Sequence, residues 1–190
     1  MPFYIFGFKF LIIFIIIRSI YKIYKVFILL MAKIIIAINE DGETLYKKIV
    51  IPTDGSDVSF EAAKHAVNIA KKFDAELYAI YVVDVSPFVG LPAEGSWELI
   101  SELLKEEGNE ALKKVKKLAE ENEVNIHTEI LEGVPAKEIA EFAEKKKADL
   151  IVMGTTGKTG LERILLGSVA ERVIKNAHCP VLVVKKSKKE

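Results

Sequence analysis

The stretch IVMGTTGKTG, Ile151 to Gly160, runs an apolar segment straight into a turn of glycine and threonine. It contains Gly-Lys-Thr, the triplet with which a Walker A phosphate loop ends. Such a loop needs a glycine five positions before its Gly-Lys pair, so that the residues between them curl around the phosphates. Five positions before Gly157 stands Val152, inside the apolar run, and the nearest earlier glycine, Gly154, is three away. Lys158 is therefore not a P-loop lysine. The segment reads instead as a buried strand, LIVMG, leaving into a glycine-rich turn.

Working outward from that strand, the same grammar repeats. KKIVIP is a short strand ended by Pro52, ELYAIYVV a second, NIHTEIL a third, and PVLVV a fifth after LIVMG. Between them lie helical patterns. SFEAAKHAVNIAKKF puts Phe60, Ala63, Ala66, Val67, Ala70 and Phe73 on one stripe, with Asp57 and Ser59 as candidate caps. Trp97 to about Glu121 reads as a long charged helix, whose run KKVKKLAEENE is a solvated face with Lys/Glu pairing. Ala136 to Lys147 reads as a helix with Pro135 near its first turn. Ser168 to Asn176 reads as a helix carrying Val169, Val173, Ile174 and Ala177 inward. The connection DVSPFVGLPAEGS is long for a compact domain.

Strands alternating with helices predict a parallel sheet covered on both faces. KIVI, LIVM and VLVV are almost wholly apolar, as strands buried on both faces are. The expected fold class is α/β: a doubly wound five-stranded parallel sheet with helices on both faces.

In such sheets, ligands bind beyond the carboxyl ends of the strands, where the strand order reverses. The first strand exits into PTDGS, presenting Thr53 and Asp54. The fourth exits into GTTG, and ten positions after Gly157 comes Gly167-Ser168 at a helix start. Glycine admits close approach of backbone N–H groups to phosphate oxygens, and a helix N-terminus adds unpaired donors. Ser168 is the expected N-cap as well as a hydroxyl donor. Gly154-x2-Gly157-x9-Gly167-Ser168 thus forms a split cradle. Either half alone would be an ordinary turn or helix start; the spacing combined with PTDGS is what points to a nucleotide. Lys158 and Arg163 read equally as phosphate contacts or as solvated loop charges.

This pattern resembles the universal stress protein family, whose ATP-binding members carry G-x2-G-x9-G-[S/T]. The likeness extends to YKKIVIPTDGS, YVVD and ADLIVMGTTGKTGLERILLGSVAERVIKNAHCPVLVVK, so it spans Leu45 to about Lys186. It implies strand order 3-2-1-4-5 and a domain over residues 45–188. It also implies ATP as the ligand, with Mg²⁺ or Mn²⁺ held mainly by the phosphates. Pro52, Thr53 and Asp54 would surround the adenosine, with the backbone of Val82 against adenine and Met153 as an apolar contact. Gly154, Gly157, Gly167, Ser168 and Val169 would bind ribose and phosphates. Thr155-Thr156 departs from the Ser-His found in many members, which puts only a side-chain contact in doubt. The implied activity is that of a nucleotide-dependent stress-response regulator with at most slow hydrolysis, and the implied assembly is a homodimer through Pro180 to Val184. Two rivals stand beside it: an ATP-using enzyme of the related adenine-nucleotide hydrolase-like folds, and a nucleotide-free dimeric interaction protein.

Composition sets the outer bounds. The 190 residues hold 27 Lys plus Arg against 27 Asp plus Glu, which gives no basic footprint for nucleic acid. One cysteine, Cys179, excludes an internal disulfide and fits a reducing, cytoplasmic compartment; it reads as a packing residue. His65, His127 and His178 form no pair at metal-ligand spacing.

The first thirty residues, rich in Phe, Ile, Lys and Tyr, differ in composition from the rest. Their longest uncharged run, Phe10 to Ile17, falls well short of the about 20 apolar residues that span a bilayer. Residues 1–44 are therefore read as an extension. An artefactual or disordered extension, such as translated AT-rich upstream DNA with Met31 or Leu45 as the working start, is preferred over a membrane-associating segment covering residues 3–30.

Overall fold

The computed structural model describes residues 45–85, 96–157 and 166–185. The extension, most of the long connection after Asp84, Lys158 and Arg163 lie outside the described residues. The chain divides into two units at Leu45/Tyr46, and the second, Tyr46–Glu190, contains the sheet.

Among the described residues, five strands alternate with four helices. They are β1 (Lys48–Pro52), α1 (Asp57–Phe73), β2 (Glu76–Asp84), α2 (Ser96–Glu121), β3 (Ile126–Gly133), α3 (Pro135–Lys146), β4 (Leu150–Gly154), α4 (Ser168–Asn176) and β5 (Val181–Val184). All strand pairs are parallel, and the order is β3-β2-β1-β4-β5. The doubly wound sheet and its expected order are thus what the chain forms. Among the described residues, no helix is long and apolar enough to cross a membrane.

Because side chains alternate across a strand, the apolar strands feed two cores. Ile49, Ile51, Leu77, Ala79, Leu150 and Val152 pack with the apolar stripes of α1 and α2. Val50, Ile80, Ile151 and Met153 pack on the other face with Ile139, Phe142 and Ala143 of α3 and with Ala170 and Val173 of α4. Each central strand is buried on both faces, which is why its sequence shows no polar alternation.

One polar contact fixes where the sheet begins. The Asp149 carboxylate accepts the backbone N–H groups of Lys47 and Lys48, each at 2.8 Å, while Asp149 N donates to Lys48 O. The start of β4 thus holds the entry to β1 in register.

A glycine in the middle of α2 answers to packing. A Cβ on Gly108 would stand 2.6 Å from Cδ1 of Tyr81, whose ring is buried against the helix. The notch lets the sheet carry an aromatic side chain beneath α2.

The two edges of the sheet differ. On β3, Glu132 pairs with Lys105 of α2 at 2.6 Å, and Glu129 lies 3.9 Å from Lys146 of α3. Charged pairs therefore flank this edge on both faces. On β5 the residues are Val181, Leu182, Val183 and Val184, and Leu182 remains 37% exposed.

Three local expectations are corrected. The cap of α1 is Ser56, whose hydroxyl accepts from Ser59 N, rather than Asp57 or Ser59. Gly167, not Ser168, occupies the N-cap of α4, and Ser168 is the first helical residue. On α4, Ala170 and Val173 point inward, whereas Val169 and Ile174 are 36% and 45% exposed. Four apolar residues at 169, 170, 173 and 174 spread over more than one face, so they cannot all point into the core.

Candidate functional site

Beyond the carboxyl ends of β1 and β4, the two neighbouring strands from which the sheet winds in opposite directions, lies a cleft of about 700 Å³. Its walls come from the strand exits and from the first turns of α1, α3 and α4. Pro52, Thr53 and Asp54 line it from β1, Val82 from β2, and Met153, Gly154 and Gly157 from β4 and its turn. Gly167, Ser168 and Val169 line it from α4. All ten residues singled out by the sequence stand in this one cleft.

The turn after β1 is built by a relay of hydrogen bonds. Gly55 N donates to Thr53 Oγ1 at 3.2 Å, and Gly55 takes φ of 78°, a left-handed conformation that glycine adopts without strain. Thr53 Oγ1 lies 3.0 Å from Ser59 Oγ, which donates its single proton to Ser56 O at 2.9 Å. Thr53 is therefore the donor in the pair, and both buried hydroxyls are satisfied. Asp54 Oδ1 accepts Ser56 N at 3.0 Å and Ser56 Oγ at 2.7 Å. This Asx-type turn coexists with Asp54 lining the cleft, so its turn role and its cleft role are compatible.

The split cradle is closed through Thr155. Its N–H donates to Val184 O of β5 at 2.8 Å, and its carbonyl accepts Gly167 N at 2.7 Å. One residue thereby ties the end of β4 to the edge strand and to the start of α4. With Gly167 as N-cap, the first intrahelical bond is Glu171 N to Gly167 O at 2.9 Å. The amides of Ser168, Val169 and Ala170 then precede that bond and have no intrahelical acceptor.

The three cradle glycines supply space rather than unusual backbone angles. A Cβ at Gly154 would lie 3.0 Å from Val58 Cγ1, at Gly157 2.6 Å from Asp54 Oδ2, and at Gly167 3.2 Å from Thr155 O. None of the three has a positive φ. Their missing side chains let the three loops that build the cleft close on one another.

Several lining residues escaped the sequence reading: Ser59, Asp84, Pro135, Ile139 and Glu171 among them. Pro135 and Ile139 are four apart on α3, so they share a face near its N-terminus. The signal was available in GVPAKEI, since every helix of such a sheet begins at its ligand-binding edge.

Away from the cleft, His127 stacks on Tyr78 with ring centroids 5.0 Å apart, and His178 Nε2 lies 3.1 Å from Ala148 O. Cys179 is half-buried, and burial, reinforced by nearby Asp149, raises its thiol above the ordinary range. Among the described residues, no group of three His, Cys, Asp or Glu is placed to hold a metal ion by itself.

Comparison with known proteins agrees with this geometry. The model of the universal stress protein family matches residues 45–185. Universal stress protein MJ0531 of Methanocaldococcus jannaschii is 86% identical over 168 residues, covering 87% of this chain and 99% of that protein. Residues 45–190 alone do not make up that share, so the likeness takes in part of the segment upstream of Leu45. The solved structure of MJ0577, a universal stress protein of the same organism, is similar with a TM-score of 0.68. It is 36% identical and covers 77% of this chain and 100% of that one. A universal stress protein solved in complex with cAMP has a TM-score of 0.55 at 27% identity, covering 75% of this chain and 98% of its own. From strand order, cleft position and these likenesses together, the chain belongs to the universal stress protein family.

Proposed function

We propose that the chain is an ATP-binding universal stress protein, a nucleotide-dependent stress-response regulator with at most slow ATP hydrolysis. The observation that carries the reading is the convergence of Pro52, Thr53, Asp54, Val82, Met153, Gly154, Gly157, Gly167, Ser168 and Val169 on one cleft. Its size suits a nucleotide. Its apolar part, with Pro52, Val82, Ile139 and Met153, suits an adenine ring, and the amides opening α4 suit phosphate. The relative in complex with cAMP supports an adenine nucleotide as the ligand class. The residues fit a metal–nucleotide complex better than a bare ion: a divalent cation here would take most of its ligands from phosphate oxygens and water. When bound, such a cation neutralises phosphate charge. The reading assigns this role to residues 45–188, with residues 1–44 as a separate extension, in the cytoplasm.

The test is direct. Protein purified without added nucleotide is extracted with acid and the extract chromatographed; ATP at close to one per chain is the expected result. An empty extract, together with no heat of ATP binding in calorimetry, would overturn the reading.

The same reading includes a homodimer through β5, with two copies pairing antiparallel about a two-fold axis. It is supported by the contrast between the charged β3 edge and the apolar, uncharged β5 edge. Val181→Pro removes a backbone donor near the start of β5, which an edge strand tolerates best. The variant is expected to shift toward monomer in analytical ultracentrifugation while still binding ATP. Wild-type protein sedimenting as a monomer at micromolar concentration refutes the dimer.

A further inference from the structure

We propose that Glu171 makes the cleft sensitive to the metal state of the phosphate chain, favouring a di- or triphosphate that carries a divalent cation over the same nucleotide without one. The inference rests on the nucleotide reading above and names a residue that reading did not include.

Glu171 lines the cleft. Residues four apart on a helix lie one above the other, and their Cα–Cβ bonds tilt toward the N-terminus. The Glu171 side chain therefore leans back toward Gly167, at the mouth of the cradle. One turn further along the same stripe, Lys175 Nζ meets Glu171 Oε1 at 2.7 Å. The hydrogen bond to Lys175, followed by its charge, holds the Glu171 carboxyl below the usual range. The group is thus an anion throughout the neutral pH range. Along one face of α4 the order is amide donors, then an anion, then a cation.

The other cleft carboxylates stand elsewhere. Asp54 and Asp84 sit at the exits of β1 and β2, and Asp54 Oδ1 is taken by Ser56. Glu171 is the carboxylate on the helix whose opening amides would receive phosphate. A chain of phosphates anchored at those amides meets it as the next charge on that helix. A bare triphosphate is repelled there. A triphosphate carrying Mg²⁺ presents a hard cation, for which carboxylate oxygen is an apt ligand or counter-charge. For charges several ångströms apart at a wet cleft mouth, the discrimination is on the order of tenfold.

The experiment titrates full-length protein with ATP, ADP and AMP by calorimetry, once in EDTA and once in excess Mg²⁺, for wild type and Glu171→Gln. For wild type, Mg²⁺ is expected to tighten ATP binding about tenfold and to leave AMP affinity nearly unchanged. In Glu171→Gln the ATP ratio should fall to about threefold or less, mainly because metal-free ATP binds better. An equal Mg²⁺ ratio in the two proteins overturns the role of Glu171 while leaving nucleotide binding in place. Failure of wild type to bind any of the three nucleotides in either buffer overturns the nucleotide reading itself, and this inference with it. Glu171→Gln alters an exposed, near-isosteric group, and circular dichroism checks that both proteins are equally folded.

Discussion

Gly167→Val is expected to weaken ATP binding by about a hundredfold or more, the equivalent of about 2.7 kcal/mol, while leaving far-UV circular dichroism unchanged. The reason is mechanical. At this position a Cβ already stands 3.2 Å from Thr155 O, the acceptor of Gly167's own N–H at 2.7 Å. The two branches of valine cannot fit between α4 and the β4 exit without moving one away from the other. That movement breaks the Thr155–Gly167 bond and carries off the orphan amides of Ser168, Val169 and Ala170. The sheet and both cores lie behind this turn, so the fold persists. Gly157→Ala is a graded companion, because its Cβ meets the carboxylate end of Asp54, a side chain that can swing aside. Wild-type affinity in a folded Gly167→Val protein would remove the cradle from the binding site.

The second large effect is on stability and runs against intrinsic helix preference. Alanine favours a helix interior over glycine by about 1 kcal/mol, so Gly108→Ala in α2 would be stabilising on propensity alone. Here the new methyl group would lie 2.6 Å from Cδ1 and 2.9 Å from Cγ of the buried Tyr81 ring. Overpacking of this kind costs about 1–3 kcal/mol, and a ring held between sheet and helix has little room to yield. A net loss of about 1–2 kcal/mol is expected, lowering the thermal midpoint by several degrees. Combining Gly108→Ala with Tyr81→Val should recover much of the clash term, because the two sites share one contact. A Gly108→Ala protein that melts higher than wild type would show that the notch has no packing role.

Much of the fold was legible because doubly wound sheets write both cores into short apolar strands. KIVI and LIVM lack polar alternation since Ile49 and Ile51 face one core while Val50 faces the other, and Leu150 and Val152 do the same against Ile151 and Met153. The cleft residues were legible where strand exits meet glycine, from Pro52 to Asp54 and from Met153 to Gly157. What was not legible is local and three-dimensional. Ser56 outcompeted Asp57 and Ser59 as a cap because it alone of the three adopts the extended backbone from which its hydroxyl reaches back to Ser59 N. On α4, four clustered apolar residues left the inward direction open, and in the fold Ala170 is buried while Val169 faces the cleft side. Pro135, Ile139 and Glu171 went unnoticed because their role depends on which helix starts beside which strand exit, and strand order carries that information. At the cradle glycines the structure adds a packing reason the sequence did not show: an added Cβ would meet Val58, Asp54 or Thr155, so the missing side chains let the loops meet.

The unequal edges of the sheet also govern how far association can proceed. A surface that pairs with a copy of itself behaves like a functional group, and the number of such groups per molecule sets the product. Here β5 offers one uncharged apolar edge, and β3 closes the other with Glu132–Lys105 and Glu129–Lys146. If β5 pairs as proposed, such a chain has a valence of one. In the proposed dimer, two copies joined along β5 would form a ten-stranded sheet whose outer boundaries are both β3, each presenting its charges to a further copy. Growth would end at that step, so the proposed dimer would be a closed assembly rather than the repeating unit of a fibre.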